Sequence, residues 1–337
     1  MSKFSEIMKD EALLALIRKS GDQRDFNGAY AAQHQIALAL QEPLRQGILV
    51  GDVLDGIYEA NVLAPGATAQ YSLDLLAPGE ESQHIAYTIP KSGYIPQRTV
   101  EGDYVMIPTY RIGNAIDWLL TFARDARYDV LGRAMEVLNA GFIKKINDDG
   151  WHTLLAAGAD RNIVVYDADA SAGQFTKRLV SLMKVLMVRN AGGNTGSVRR
   201  GKLTDLWLSH EAVEDIRNWG VDIVDDMTRR EIFMSDTGIT KLFGIMLHSI
   251  DELGEDQEYQ NFFTSASGLG GSLAASDVEL VVGLDLSTRD SFVMPIRQEV
   301  EIFPDPIIHR EQKAGFYGWA EMGFAVLDGR RVLLGSL

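Results

Sequence analysis

The sequence predicts an α+β protein, and three patterns support this fold class. The stretch 111–148 has the apolar spacing of one long helix, whereas 47–107 before it is rich in strand-forming residues and prolines. After the helix, strands and short helices follow one another without a regular βαβ alternation, and the chain ends in long strands over 292–337. Helices and strands that are segregated in this way are typical of the α+β class.

The amino-acid composition argues against several classes of function. The chain has 337 residues, a formal charge of −15 and no cysteine. The negative charge argues against general nucleic-acid binding, which needs dense Lys and Arg. The lack of cysteine excludes disulfides, thiolate metal sites and a cysteine nucleophile, and it fits a reducing compartment. No apolar run approaches the length of a membrane span, so we expect no membrane association.

Residues 1–46 are predicted to form an N-terminal arm. An amphipathic helix is expected over 1–20, with Phe4 and Ile7 among its apolar residues, and Gly21 ends it. The segment from there to residue 46 is mixed and shows no sustained strand pattern. Because chain termini normally fray unless something holds them, the arm packs either on a neighbouring subunit or on its own domain.

The next segment is predicted to be extended. Residues 47–76 are strand-like, and five of the nine prolines fall between 65 and 108. Between these prolines, His84–Ile89 and Tyr104–Ile107 are predicted strands around a turn at 91–93. This two-stranded hairpin is too poor in apolar residues to form its own core, and isolated hairpins are marginal in water. We therefore expect it to rest on another surface.

The stretch 111–148 is predicted to be one helix. Asn114 stands at the position of an N-cap, and apolar residues such as Ile116, Leu120 and Leu138 recur at helical spacing. The opposite side carries charges that can pair three or four positions apart. About 34 residues without a proline would span about 50 Å. A helix of this length is expected to be a long support against which other elements pack.

The second half of the chain is predicted to alternate strands, helices and loops. A strand is expected at Ile163–Tyr166, followed by a helix over 172–189 with Ser171 as its N-cap, and the loop 191–200. A strand over 203–208 leads to a helix that Ser209 caps and Gly220 ends. The Gly- and Ser-rich stretch 265–276 is predicted to be a loop. The last two strands are predicted to form a hairpin with Asp328 and Gly329 at its turn.

Motifs that carry chemistry are incomplete. Residues 196–202 match most of a phosphate-binding GxxxxGK loop, but Leu203 replaces the metal-binding Ser or Thr, and the order of helix and strand is inverted. His210 and Glu211 begin a zincin motif that Glu214 breaks, and no G-x-S-x-G elbow occurs. We therefore predict no catalytic, cofactor-binding or metal-binding residues.

The order of the parts resembles the major capsid protein of tailed bacteriophages, whose Hong Kong 97-type fold is shared with encapsulins. Local pieces are similar too, and they are TDLWLSHEAVEDI (204–216), TKLFGIMLHSIDEL (240–253) and EQKAGFYGWAEMGFAVLDGRRV (311–332). The resemblance covers the chain as an architecture and lies in the order and lengths of its parts. It implies a structural protein that is not an enzyme.

The resemblance also implies a division of the chain. Residues 1–46 would be the N-terminal arm and 77–107 the extended loop that lies over an adjacent subunit. The peripheral domain would comprise 47–76, 108–200 and 295–337, with a spine helix over about 112–147. The axial domain would comprise 201–294, with loops that converge at the centres of hexamers and pentamers. Candidate contacts between subunits follow from these regions, and they are Lys91, Tyr94, Arg98, Phe4, Ile7 and Leu269.

The implied function is a self-assembling icosahedral head of hexamers and pentamers that encloses double-stranded phage DNA without reading its sequence. It would be assembled in the host cytoplasm and end in the virion capsid. Because few residues precede the fold, a separate scaffolding protein is expected, and a decoration protein is a further partner. The alternatives are an encapsulin-like nanocompartment shell and, more remotely, an intracellular α/β hydrolase.

Overall fold

The computed structural model describes residues 11–22, 24–51, 54, 56–72, 104–125, 127–161, 163–190, 201–219, 241–265, 279–287, 289–305 and 307–337. The fold is α+β, as predicted. The chain divides into two compact units. Unit 1 contains Met1–Ala69, Ile107–Gly150 and Met294–Phe324, and unit 2 contains Gln70–Met106, Trp151–Val293 and Ala325–Leu337.

The described helices are α1 Glu11–Ser20, α2 Phe26–Gly51, α3 Leu120–Arg124, α4 Tyr128–Asp160, α5 Lys177–Asn190, α6 His210–Asn218 and α7 Glu258–Ser265. The described strands are β1 Glu59–Val62, β2 Gln70–Ser72, β3 Tyr104–Met106, β4 Tyr110–Leu119, β5 Val164–Val165, β6 Asp205–Leu208, β7 Lys241–Leu242, β8 Ile245–Ser249, β9 Leu280–Leu284, β10 Phe292–Pro304, β11 Lys313–Met322, β12 Ala325–Val326 and β13 Val332–Ser336. No described helix combines the length and the apolar character that crossing a bilayer requires.

Unit 1 is built on an antiparallel sheet with the strand order β1-β10-β11-β4. The β4–β11 ladder runs without interruption from Leu119 opposite Lys313 to Tyr110 opposite Met322. Even-numbered residues of β4 point inward, and buried Trp118 packs edge-on against Phe316 at 5.2 Å. The fully buried ring of Phe142 on α4 lies against Gly318, where a larger residue would not leave room. The first part of α4 is thereby fixed on this sheet.

The prediction of a single helix over 111–148, and with it a spine helix starting at 112, is wrong at its start. Residues 110–119 form β4, and the long helix α4 begins at Tyr128. Ile112 and Ile116 are four positions apart, a spacing that suits a helix and is also a multiple of the strand period of two. The continuous pairing with β11 makes residues 110–119 a strand. The helix also extends beyond its predicted end to Asp160, so its 33 residues still span about 50 Å.

The N-terminal region is more helical than predicted. The expected helix over 1–20 is confirmed for Glu11–Ser20, but α2 occupies Phe26–Gly51, including residues 47–51 that were predicted to be strand-like. The Asp25 side chain accepts a hydrogen bond from the Gly28 N–H at 3.0 Å and so satisfies a donor at the helix start. Pro43 lies inside the helix, where it has no N–H to donate to the preceding turn.

Unit 2 contains a six-stranded sheet with the order β5-β13-β9-β6-β8-β7. The pairs β13–β5 and β6–β8 are parallel, and the other pairs are antiparallel. Its main core lies between the sheet and α5 with α6, where Phe175, Met183 and Leu206 are fully buried. Trp151, in the last turns of α4, is also fully buried and packs against Trp207 and Tyr259.

Ser209 is the N-cap of α6, as predicted, and its Oγ accepts a hydrogen bond from the Ala212 N–H at 3.0 Å. Two neighbouring predictions are wrong. Helix α5 begins at Lys177 and not after Ser171, because the Thr176 hydroxyl accepts from the Leu179 N–H. The last strands do not form a hairpin, because β11 pairs with β10 and β4, whereas β13 pairs with β9 and β5. The Asp328 carboxylate instead caps a 3-10 turn.

The predicted strands at Tyr104–Ile107 and Ile163–Tyr166 are confirmed in their central parts as β3 and β5. The predicted strand His84–Ile89 and the predicted helix end at Gly220 lie outside the described residues, as do the loop 191–200 and most of the loop 265–276. The boundaries of arm, peripheral domain, extended loop and axial domain stay predictions.

A substitution at Gly315 tests whether β11 lies as close to β4 as described. A Cβ at this position would overlap the carbonyl oxygen of Ile116 and press on the Asp117 Cα. We expect Gly315→Ala to lower the free energy of unfolding by about 1–3 kcal/mol, the usual cost of overpacking. Chemical denaturation followed by circular dichroism measures this change.

Gly113 is the matched control in the same sheet. A Cβ there would lie 3.5 Å from the Gly318 carbonyl oxygen, which is an ordinary contact. We expect Gly113→Ala to leave the free energy of unfolding within about 1 kcal/mol of the wild type. Equal losses for both variants would contradict the β4–β11 packing described above.

Candidate functional site

The six predicted contacts between subunits lie outside the described residues. Phe4 and Ile7 fall in 1–10, Lys91, Tyr94 and Arg98 fall in 73–103, and Leu269 falls in 266–278. They therefore stay predictions. The described residues nevertheless include one end of the predicted extended loop, 104–107, and they present exposed surfaces that the sequence alone did not identify.

The first such surface is a two-stranded ribbon formed by β2 and β3. Gln70 lies opposite Met106 and Ser72 lies opposite Tyr104 in an antiparallel pair that belongs to neither of the larger sheets. Tyr104 is 66% exposed and Met106 is 65% exposed. An isolated ribbon of this size is marginal in water. Full burial would contribute about 1–2 kcal/mol more for each of these two side chains, at about 25 cal/mol per Å².

The second surface is the edge strand β1. All four of its residues are exposed, and Val62 is 61% exposed. The strand holds one edge of the unit 1 sheet, and its connection to β10 continues with a hydrogen bond from the Leu63 N–H to the Ile296 carbonyl at 2.8 Å. An exposed edge presents backbone donors and acceptors on its outer side. It can therefore receive a further extended segment from another chain.

The outer face of the unit 1 sheet carries aromatic rings. Phe303 contacts Tyr317 with a centroid distance of 5.6 Å, and Tyr317 is 40% exposed. The Arg111 guanidinium lies 4.9 Å above the ring of Trp319. The aromatic residues of β11 lie on both faces of the sheet, because Phe316 is buried whereas Tyr317 faces outward.

Glu321 fixes the arginines on this face. Its carboxylate lies 3.3 Å from Arg111 Nε and 2.9 Å from Arg297, and it accepts a hydrogen bond from the Thr109 hydroxyl at 3.1 Å. Burial would raise the pKa of Glu321, but the hydrogen bonds from these three partners hold the pKa below its ordinary value. Two guanidinium groups thus share one carboxylate.

A buried acid lies at the start of α6 in unit 2. The Ser209 hydroxyl donates to Glu279, which is 6% exposed. Burial raises the pKa of Glu279, and the hydrogen bond from Ser209 only partly offsets this change. Three further carboxylates raise the pKa as well, and they belong to Glu211, Asp215 and Glu255. This end of unit 2 is therefore less stable when Glu279 is ionised.

Enzymatic chemistry finds little support in the described residues. Among them, no three His, Asp or Glu side chains are grouped closely enough to hold a metal ion. A cavity of about 280 Å³ beside β5 is lined by Asp167, Ser171 and Ser336 among others. Asp167 accepts a hydrogen bond from the Thr176 hydroxyl at 2.7 Å and lies 3.5 Å from Arg178. The described lining thus offers these hydroxyls no histidine or lysine as a base.

We expect Glu279→Gln to stabilise the protein at neutral pH. Because the pKa of Glu279 is raised by folding, its contribution to stability is complete below the ordinary pKa of Glu and is lost as the pH rises through the folded-state pKa. The free energy of unfolding of the variant should therefore exceed that of the wild type at pH 7, and the difference should disappear below about pH 4. Urea denaturation between pH 4 and pH 8 measures it.

Glu59→Gln is the control, because this carboxylate lies on the exposed strand β1. Its substitution should leave the pH dependence unchanged. If the wild type and Glu279→Gln have the same free energy of unfolding at every pH, ionisation of the buried carboxylate does not destabilise the protein.

Comparison with known proteins gives a clear result at the level of structure. No protein-family model matches the sequence, and no curated protein matches it. A structure from Gordonia phage Cozz aligns with a TM-score of 0.56 at 11% identity, over 85% of this chain and 86% of that chain. The capsid of a native GTA particle aligns with a TM-score of 0.53 at 12% identity, over 84% and 89%.

The capsid of Myoviridae phage XM1 is similar to the same extent, with a TM-score of 0.51 at 12% identity, over 84% of this chain and 90% of that chain. At identities this low, the structural similarity establishes the fold alone, and the function has to be argued from the residues of this chain. The similarity nevertheless extends over most of both chains in each case, and it agrees with the resemblance that the order of the parts indicated. The chain has the Hong Kong 97-type capsid fold.

Proposed function

We propose that this chain is the major capsid protein of a tailed bacteriophage, which assembles into hexamers and pentamers of an icosahedral head around double-stranded DNA. Its role is structural and not catalytic. The fold supports this function, because two of the similar structures are capsids by their own descriptions. The observation that carries the proposal is the exposed ribbon of β2 and β3.

The ribbon supports assembly for an energetic reason. Tyr104 and Met106 remain about two-thirds exposed on a pair of three-residue strands. Such a pair gains little from its own packing, so a neighbouring subunit that covers it contributes most of its stability. Each subunit is then incomplete until it is assembled, which is the property a shell requires. Strand β3 falls within the predicted extended loop 77–107.

The charge of the chain supports a container for DNA. A formal charge of −15 disfavours tight binding to phosphates, so a packaged genome can move along the inner wall. The role proposed here includes no sequence-specific DNA contact. A separate scaffolding protein and a decoration protein belong to the proposal as partners, and assembly takes place in the host cytoplasm before the chain becomes part of the virion.

Electron microscopy of the purified chain tests the proposal directly. We expect closed shells or capsomer-sized rings at high protein concentration, with a matching early peak in size-exclusion chromatography. A stable monomer under every condition would refute the capsid function, and shells that contain a co-purified enzyme in place of DNA would favour an encapsulin-like compartment.

The ribbon itself is tested by Met106→Glu. The side chain is 65% exposed, so the free energy of unfolding of the isolated subunit should change by less than about 0.5 kcal/mol. Assembly should be lost, because the new carboxylate would be buried without a partner in the interface. Ser181→Glu adds the same charge on the exposed side of α5 and should assemble normally. If Met106→Glu forms normal shells, the ribbon is not part of the interface between subunits.

A further inference from the structure

Strand β4 lies at the edge of the unit 1 sheet. It pairs with β11 on one side, and no described strand pairs with it on the other side. The strand is 10 residues long, and its ladder with β11 has no register shift. Natural sheets usually shorten, twist or cover such an edge, because an open row of backbone groups pairs readily with another strand. The edge of β4 can therefore pair with a further chain.

The ladder with β11 determines which backbone groups of β4 face the open edge. The Leu120 N–H donates to the Gln312 carbonyl at 3.0 Å, and this pair continues the β4–β11 register. Because residues that exchange both bonds alternate along an antiparallel ladder, the even-numbered residues of β4 bond to β11. The N–H and C=O groups of the odd-numbered residues point away from it, and these residues include Arg111, Gly113, Ala115 and Asp117. Among the described residues, their one backbone contact on this side is the Asn114 side chain, which accepts from the Ala115 N–H at 2.9 Å.

The outward-facing side chains of β4 are self-complementary about Asn114. In an antiparallel pair of two β4 strands centred on this residue, Arg111 lies opposite Asp117 of the other copy at both ends of the contact. Opposite charges that face each other directly across two strands stabilise their pairing. Between these ends Gly113 lies opposite Ala115, so only small side chains stand near the centre. A parallel copy would instead place like charges side by side.

The same register joins the inner faces and the backbones. Ile112 lies opposite Ile116 of the other copy, which continues the apolar face of the sheet. Odd-numbered residues meet odd-numbered residues, so the outward N–H and C=O groups of both copies form the bonds of a regular ladder. Moving the centre to either neighbouring residue would place neither charge opposite its counterpart. Below the centre, α4 presents exposed Gly141 beside Asn114, so the helix carries no side chain at this position.

The charges beside the edge strengthen this match, because their signs alternate. Within one copy, the ion pairs measure 2.9 and 3.3 Å on the arginine side of the edge and 2.8 and 3.5 Å on the aspartate side. The contact between copies joins them into one row of alternating sign, which runs through Arg297, Glu321 and Arg111 to Asp117, Lys313 and Glu311 of the other copy. Neighbours in this row attract each other. Glu301 and Asp305 lie on the β10 side, two strands away from the open edge.

We propose that β4 pairs with β4 of a second copy of this chain, antiparallel and centred on Asn114, so that two unit 1 sheets become one continuous sheet. The same residues contribute from both copies, as a two-fold contact requires. The pairing deepens the proposed shell function, on which its role rests, by naming one contact between subunits. It joins backbones and few large side chains, so it is weak alone and acts together with other contacts. Covalent trapping is the appropriate measurement, since it detects a weak contact.

The lack of cysteine in the chain makes disulfide trapping specific. In the proposed pair, Gly113 and Ala115 of the other copy exchange backbone bonds, so their Cα atoms are about 5.5 Å apart, within the range of about 4.4–6.8 Å for a disulfide. The two copies of Ala115 are diagonal neighbours, about 7–8 Å apart. Full-length Gly113→Cys and Ala115→Cys, purified separately and then mixed, should form a covalent dimer under mild oxidation about ten-fold faster than either variant alone.

Two further variants complete the test. Asn114→Cys meets its own copy at the centre with Cα atoms about 4.5 Å apart, so it should form a covalent dimer without a partner variant. Leu119→Cys is the control for random collision on the same strand, because this residue is 47% exposed. Its two copies would lie about 33 Å apart, at about 3.3 Å per residue. The readout is the dimer band on a non-reducing gel, with melting temperatures to show that each variant is folded.

The outcomes separate the pairing from the shell. Trapping of the Gly113→Cys and Ala115→Cys mixture no faster than Leu119→Cys would overturn the pairing, and so would faster trapping of Ala115→Cys with itself than in the mixture. If the wild-type chain forms shells while neither the mixture nor Asn114→Cys is trapped, the proposed function stands and the pairing falls. If the mixture is trapped but no shells or rings form under any condition, the pairing stands and the proposed function falls.

Discussion

The continuous ladder between β4 and β11 is the interaction on which unit 1 depends. It takes a segment whose apolar spacing also suits a helix and fixes it as a strand, from Tyr110 to Leu119. Because β11 pairs on its other side with β10, the sheet gains an inner face against α4 and an outer face with the rings of Phe303 and Tyr317. Gly318 at the centre leaves space for Phe142, so the helix lies close to the sheet.

The surfaces that this packing leaves uncovered support the proposed assembly. The described residues bury a core in each unit, yet they leave apolar side chains exposed on the ribbon and on one helix face, and they leave the edge strand β1 exposed. Scattered exposed apolar residues are normal in a monomer. Here two of them, Tyr104 and Met106, lie on a ribbon with little packing of its own, where a neighbour would gain most by covering them. In the proposed shell, the acidity of the chain would make contacts elsewhere repulsive and so would direct association to these surfaces.

The sequence supported much of the fold but not every element. The cap at Ser209 and the strand at β6 follow from local rules, and both are confirmed. Helix α2 was missed because Gly28 and Pro43 interrupt a segment whose two faces are both apolar, so no amphipathic contrast appears. The surfaces proposed for assembly were only partly predictable: β3 was expected as a strand, but its exposure depends on what does not pack against it.

By itself, the sequence determined the α+β class, the presence of one helix about 50 Å long, and the order of parts from which the capsid fold was inferred. These follow from residue spacing, turn chemistry and charge, which act over a few positions along the chain. Tertiary structure alone decided that 110–119 is a strand and that β11 and β13 belong to different sheets. Pairing across many residues depends on which backbone groups find partners, and that information is not local.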